Sequence, residues 1–284
     1  MASEHLLLKL NPVIAKPFVK WVGGKRKVIP ELLSSLPTTF DYYYEPFVGG
    51  GALFFHLRSL NVLEDHKITL ADINLRLIRT YCAIRDDVEG VIVRLQQHAN
   101  HHCRDYFYAV RDADVDTYEN DADVAAWFIY LNKTAFNGLY RVNKKNRFNA
   151  PMGKYKNPTI CDAENLRNCH DALQNVEILH QSFTAAESAQ SGSLVYFDPP
   201  YVPVSATSSF TSYTTEGFGM TQHIQLRDVA LSLRNRGVHV MVSNSDHEIV
   251  RGLYAGFDIR SIQVGRAINS KATGRGKVGE VIIT

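Results

Sequence analysis

The sequence predicts an α/β fold in which a mostly parallel sheet is covered by helices on both faces. Three observations carry that prediction. Short apolar, β-branched or aromatic runs bounded by turn residues recur along the chain. Helical patterns separate these runs towards both ends, and the alternation lapses between about residues 86 and 168. Strands covered on both faces read as near-continuous apolar segments, as these do.

In order along the chain, 25–35 reads as a helix, 41–47 as a strand and 52–60 as a helix. Next come a strand at 67–71 and a helix at 74–85. The interruption reads as three helices, 88–100, 104–111 and 124–136, then a polar, turn-rich piece around 143–149 with the look of a hairpin. Strands follow at 176–180 and 194–197, a helix at 223–234, a strand at 238–243, a helix at 246–254 and a last strand at 278–284. The simplest organisation is one α/β domain built from 1–85 and 169–284, with a mainly helical insert at 86–168.

Composition agrees with that reading. The chain has 284 residues, 45% apolar and 21% charged, which leaves ample material for a core. No stretch approaches the ~20 apolar residues needed to span a bilayer. The first residues carry one apolar run, Leu6-Leu7-Leu8, broken by Lys9 and without a cleavage signature. A cytoplasmic protein with no membrane partner is expected. Cys82, Cys103, Cys161 and Cys169 show no C-x-x-C spacing, so reduced, mostly buried thiols and no metal are expected.

The net charge of +2 hides a strong asymmetry. Residues 105–123 hold seven acids and one base, Arg111. Residues 132–158 hold seven bases and no acid: Lys133, Arg141, Lys144, Lys145, Arg147, Lys154 and Lys156. A second basic stretch, 260–277, has five bases and no acid. Local patches set the field that a polyanion meets, so nucleic acid becomes a candidate partner.

Two motifs carry chemistry. The run Tyr44-Glu45-Pro46-Phe47-Val48-Gly49-Gly50-Gly51-Ala52 is a strand, a glycine turn and a helix start. Glycines there permit positive φ and let a nucleoside lie against the backbone. Asp72 ends the following strand 23 residues after Gly49, near the ~20 expected for an acid on ribose hydroxyls. No Lys-Ser or Lys-Thr follows the glycines, and Phe54 stands where the last glycine of G-x-G-x-x-G would fall. A cofactor with an adenosine and no pyrophosphate suits that departure, and S-adenosylmethionine is such a molecule.

The second motif is Asp198-Pro199-Pro200-Tyr201, directly after an apolar strand. Two prolines end a central strand, so the turn falls at the sheet edge where open α/β folds bind ligands. Methylating an exocyclic amine needs such a corner, because the amine lone pair is delocalised into the base. Hydrogen bonds from the amine to the Asp198 carboxylate and the Pro199 carbonyl would free that lone pair for attack on a sulfonium methyl. Tyr201 would stack on a base that has left the duplex. None of the four cysteines follows a proline, which argues against a cytosine C5 mechanism. N6 of adenine and N4 of cytosine both remain open on these residues.

The chain resembles the Dam-type, GATC-modifying N6-adenine DNA methyltransferases, including those of Dpn-type restriction–modification systems. The likeness runs from Lys16-Pro17-Phe18-Val19-Lys20-Trp21-Val22-Gly23-Gly24-Lys25 to the final strand. It takes in Phe136-Asn137-Gly138-Leu139-Tyr140-Arg141-Val142-Asn143, Pro151-Met152-Gly153-Lys154-Tyr155-Lys156-Asn157-Pro158, the Asp198 corner and Ser209-Phe210-Thr211-Ser212-Tyr213. The resemblance implies a Rossmann-like S-adenosylmethionine-dependent sheet with 86–168 as the target-recognition insert.

By that resemblance Trp21, Lys25, Asp72 and Asp198 contact S-adenosylmethionine, alongside Glu45, Phe47, Gly49 and Gly51 of the glycine turn. Phe183 would flank the cofactor adenine, although Ser182 stands where the family often has an acid. Lys20 would read the outer guanine, Arg141 the other guanine, and Leu139 and Pro151 the thymine methyl, all expected major-groove pairings. Phe136, Asn137 and Tyr155 would open and fill the gap left by the flipped base. Lys144, Lys145 and Arg147 on the hairpin tip would hold phosphates. The loop 205–214 is a candidate lid. Double-stranded DNA is the implied partner, and a cognate restriction endonuclease a further one, with no metal.

Overall fold

A computed structural model describes residues 14–203, 218–265 and 277–284. Seven strands form one mixed sheet: β1 Tyr42–Glu45, β2 Lys67–Asp72, β3 Val176–His180, β4 Ser193–Phe197, β5 His239–Ser245, β6 Ile259–Gly265 and β7 Lys277–Ile283. Their order is β3-β2-β1-β4-β5-β7-β6. Strands β1 to β5 pair in parallel, and β7 runs antiparallel to both β5 and β6. The order reverses between β1 and β4, so the crevice beyond their C-terminal ends is the switch point where such sheets bind ligands.

Helices cover both faces. Along the chain they are α1 Ile29–Leu33, α2 Ala52–Ser59, α3 Leu75–Asp86, α4 Val88–His101, α5 Arg104–Asp112, α6 Asp121–Thr134, α7 Ala163–Ala172, α8 Met220–Asn235 and α9 Glu248–Leu253. Alternate residues of each strand feed opposite cores. Leu194, Tyr196 and Met241 enter the larger one, with α2, α3, α4 and α6; Val195, Phe197, Val240 and Val242 enter the other, under α8 and α9. All five residues of β4 are buried. The strand that carries the Asp-Pro-Pro-Tyr corner is therefore central to the sheet.

Three sequence expectations need correction. Helix 25–35 is broken into a 3₁₀ turn, Lys25–Lys27, and the short α1, because Pro30 enters at the start of α1 and its ring cannot sit one turn inside a longer helix. Strand β6 and helix α7 were not expected. Helix α7 buries only Leu166, Cys169 and Ala172, too sparse a stripe to stand out, and residue 168 lies inside it. The thiols are not mostly buried: only Cys169 is, whereas Cys103 is exposed and its sulfur caps α5 by accepting from Tyr106 N at 3.4 Å.

The 86–168 segment shares the larger core, through Trp127, Phe128 and Leu131 of α6. Its acidic run is neutralised by arginines from several elements. Arg76 is buried and forks onto Asp116 at 2.8 and 2.6 Å. Arg79 pairs with Asp121, Arg94 with Asp123 and Arg147 with Asp114. Among the described residues no helix is long and apolar enough to cross a membrane.

Candidate active site and basic hairpin

The glycine turn leaves β1 and starts α2. Gly49 and Gly51 have φ of +47° and +66°, where residues with a Cβ are strained. A Cβ on Gly49 would come within 2.6 Å of Trp21 Cδ1, and one on Gly51 within 2.7 Å of the Tyr81 hydroxyl. The glycines thus serve close packing of Trp21 and Tyr81 as well as backbone shape. Asp72, at the end of β2, accepts from Gly49 N at 3.1 Å and from Asn74 N at 2.9 Å. Burial raises its carboxyl above the ordinary range, against the pull of those two amides.

Asp198 directly follows β4, at the C-terminal edge of the sheet where the strand order reverses. Its Oδ1 lies 2.7 Å from Lys25 Nζ, which also donates to Gly23 O at 2.8 Å. The contact is an ion pair, and Oδ1 is buried although the whole side chain keeps 20% exposure. Burial pushes the Asp198 carboxyl up to about 6, with Lys25 pulling it down and Glu280 adding to the rise. Lys25 Nζ also sits 4.6 Å from the centre of the Tyr201 ring.

Glu45 ends β1 and is buried, accepting from the Tyr43 hydroxyl at 2.7 Å. Burial raises it to about 8; the Tyr43 bond opposes this and the Asp198 charge reinforces it. Asp198 is thus coupled electrostatically to Glu45 on one side and to Glu280 on the other. The Asp198 carboxylate suits a cationic ligand, and a sulfonium-bearing S-adenosylmethionine is one. Beside them Phe47 and Phe183 stack with centroids 5.9 Å apart, and Phe218 packs edge-on to both. Phe183 opens a 3₁₀ turn that Ser182 caps, accepting from Thr184 N. A serine fills the place of the expected acid as a helix cap.

The recognition candidates fall into two groups. Asn132, buried at the end of α6, accepts from Lys20 N at 2.8 Å and donates to Lys20 O at 2.8 Å and Gly138 O at 3.0 Å. This staple holds Lys20 against the Phe136–Gly138 turn, where Asn137 takes φ +56° and Phe136 is 52% exposed. Lys20 Nζ lies 4.8 Å over the Tyr155 ring, and Phe136 N donates to Pro151 O at 2.8 Å. Lys20, Phe136, Asn137, Pro151 and Tyr155 are thus brought together. Trp21 stacks on Tyr140 behind them, with centroids 5.8 Å apart.

The second group is a hairpin closed by the Val142 to Phe148 bridge. Lys144, Lys145 and Arg147 are exposed on its tip, as expected, and Leu139 is half-buried at its base. Arg141 is half-buried, its Nε donating to Asn149 Oδ1 at 2.6 Å and its Nη2 to Asn149 O at 3.1 Å. Arg147 is tied to Asp114 at 2.6 Å. Arg76 donates to Asn146 O at 2.7 Å, anchoring the tip to α3. The candidate lid 205–214 and Arg266, Lys271 and Arg275 lie outside the described residues.

Sequence reasoning missed four residues that organise this site: Arg76, Asn132, Asn244 and Glu280. Asn244 Oδ1 accepts from Val202 N at 3.1 Å and Ser245 Oγ donates to Val202 O at 2.8 Å, fixing the residue after the corner. Glu280 accepts from the Tyr201 hydroxyl at 3.0 Å. Its signal was a lone acid in an apolar last strand.

Comparison with known proteins bears on this geometry. The model of the D12 class N6 adenine-specific DNA methyltransferases matches residues 21–268. Type II methyltransferase M1.LlaDCHI of Lactococcus lactis subsp. cremoris is 40% identical, over 98% of each chain. Type II methyltransferase M.MjaIII of Methanocaldococcus jannaschii is 42% identical over 92% of this chain and 95% of its own. The DNA adenine methylase of Haemophilus influenzae is 34% identical over 94% and 92%. With that coverage, a seven-stranded sheet of this order, and an Asp-Pro-Pro-Tyr corner directly after its central strand β4, the chain belongs to the D12 class of N6 adenine-specific DNA methyltransferases.

Proposed function

We infer that this methyltransferase acts on adenine within GATC in duplex DNA, after the base has swung out of the helix, with S-adenosylmethionine as methyl donor. The observation that supports this most is the Asp198 carboxylate, set directly after β4 where the strand order reverses and paired there with Lys25. When bound, S-adenosylmethionine supplies an electrophilic methyl on a positively charged sulfur. The chain's residues do the rest. Asp198 and the Pro199 carbonyl accept hydrogen bonds from the two N6–H groups, which pyramidalises the nitrogen and directs its lone pair; once the nitrogen has taken the methyl, one N6 proton is lost to solvent. Tyr201 stacks on the base. Asp72 and Asp198 attract the donor's hydroxyl and cationic groups, Trp21, Lys25, Glu45 and the Gly49 and Gly51 backbone line its bed, and Phe47 and Phe183 shape the slot for its adenine.

Segment 86–168 and Lys20 serve as the reader in this proposal. Lys20 and Arg141 pair with the two guanines, Leu139 and Pro151 meet the thymine methyl, and Phe136, Asn137 and Tyr155 occupy the space the adenine leaves. For Arg141 to reach a guanine it exchanges its Asn149 partner for O6 and N7. Lys144, Lys145 and Arg147 hold phosphates. The proposed setting is cytoplasmic DNA, with a cognate restriction endonuclease as a further partner.

The test is direct. Purified protein with S-adenosylmethionine and a GATC duplex should give N6-methyladenine by nucleoside mass spectrometry, and mapping in expressing cells should place it at GATC. N4-methylcytosine as the sole product would overturn the choice of base, and N6-methyladenine at unrelated sites would overturn the reader assignment.

A further inference from the structure

Tyr201 is gripped from a strand on the far side of β5. Its phenol donates to Glu280 Oε2 at 3.0 Å, and Glu280 sits on β7 opposite Ser245 of β5. Ser245 and its neighbour Asn244 in turn hold both backbone groups of Val202. The corner is thus fixed at three points by the antiparallel end of the sheet: a carboxylate on the ring tip, an amide oxygen on Val202 N, and a hydroxyl on Val202 O. Lys25 Nζ lies over the ring.

An aromatic ring joined to a turn rotates about two side-chain bonds, and a base stacked on it would share that freedom. A hydrogen bond from the ring tip to a charged acceptor removes most of it. We propose that Glu280 is a positioning residue for methyl transfer, orienting Tyr201 so that the stacked base presents its amine to Asp198. This rests on the base-stacking role inferred above. Glu280 touches neither reactant in this scheme, so its removal should slow the chemical step and leave donor affinity intact.

The test compares Glu280→Ala, Glu280→Gln, Tyr201→Phe and the double variant Glu280→Ala/Tyr201→Phe in steady-state transfer to a GATC duplex. Phenylalanine keeps the stacking face and loses only the tether, and glutamine keeps an acceptor oxygen. Glu280→Ala and Tyr201→Phe should each lower kcat about tenfold, as expected for losing a hydrogen bond to a charged group. The KM for S-adenosylmethionine should stay within about twofold, and Glu280→Gln should recover most of the rate. The double variant should be no slower than Tyr201→Phe alone. With 2-aminopurine at the target adenine, fluorescence of the swung-out base should change in both single variants, because its stacking partner is no longer held. Fully additive losses, a Gln variant as slow as the Ala variant, or wild-type kcat in Tyr201→Phe would each overturn the proposal. Should Glu280→Ala fail to fold, Tyr201→Phe tests the same bond without touching β7. The parallel wild-type reaction keeps the two readings apart: no N6-methyladenine from wild type sinks the function, whereas an active wild type with an indifferent Tyr201→Phe sinks only the tether.

Discussion

Lys25 Nζ and Asp198 Oδ1 stand 2.7 Å apart, joining a 3₁₀ turn near the chain's start to the corner after β4. The lysine is 5% exposed and anchored by Gly23 O, so it is a fixed counter-charge rather than a passing surface cation. Its effect is to oppose the burial that would otherwise keep Asp198 protonated. The carboxylate is thereby available as an acceptor near neutral pH.

Methyl transfer should therefore fail as pH drops through about 6, the value to which Asp198 is raised. In the proposed reaction, protonated Asp198 loses the charge that makes it a strong acceptor for the amine. Replacing Lys25 by Met removes the group that lowers this value, so the acid limb of kcat against pH should move upward. An acid limb that stays in place in Lys25→Met would show that another group sets it.

Asp198→Asn keeps the shape of the corner and removes its charge. Its kcat should fall by a factor of about 100 or more, the usual scale for losing an electrostatic group at the reacting atom. Affinity for GATC duplex in a gel-shift assay should change little. Wild-type turnover in this variant would take Asp198 out of the reaction.

Glu45 gives a stability signature of opposite sense to a salt-bridged acid. Its carboxyl is raised from 4.5 to about 8 by burial, so between those values the unfolded chain releases a proton that the folded one retains. Its contribution is full below pH 4.5 and is lost as pH rises towards 8. Glu45→Gln, which does not titrate, should gain in melting temperature relative to wild type as pH climbs through this window. A constant difference across the window would show that Glu45 is not held neutral.

Arg141 and Lys145 should separate as reader and anchor. Arg141→Ala should weaken discrimination at one guanine by about 1–3 kcal/mol, whereas Lys145→Ala should lower affinity on all sequences and reduce its salt dependence. Competition binding with cognate and single-substituted duplexes measures both. Equal losses on every duplex for Arg141→Ala would remove it from base reading.

Much of this frame was legible in the sequence because its signals are local. A glycine turn after an aromatic strand, and two prolines after Ser193–Phe197, locate the sheet edge by steric rules alone. What stayed hidden depends on distant partners. The acids around Asp116 read as half of a charge asymmetry, yet in the fold they are consumed by Arg76, Arg79, Arg94 and Arg147. Strand β6 mixes Arg260, Ser261 and Gln263 with Ile259 and Ile262, as an edge strand does, so its composition suggested a basic surface patch. Glu280 meets Tyr201 only because β7 inserts between β5 and β6, a topology that periodicity does not report.

Helix α6 lies against α3 and α4 and sends Trp127, Phe128 and Leu131 into the core that also receives Leu194 and Tyr196. Its last turn carries Asn132, which staples Lys20 to the Phe136–Gly138 turn. A duplex pressed on that surface would push on the same apolar mass that supports the catalytic strand. Under the proposed function, sequence discrimination would then be a matter of alignment: a mismatched step would displace the adenine relative to the Asp198 carboxylate, and the penalty would appear as lost reach at the nitrogen.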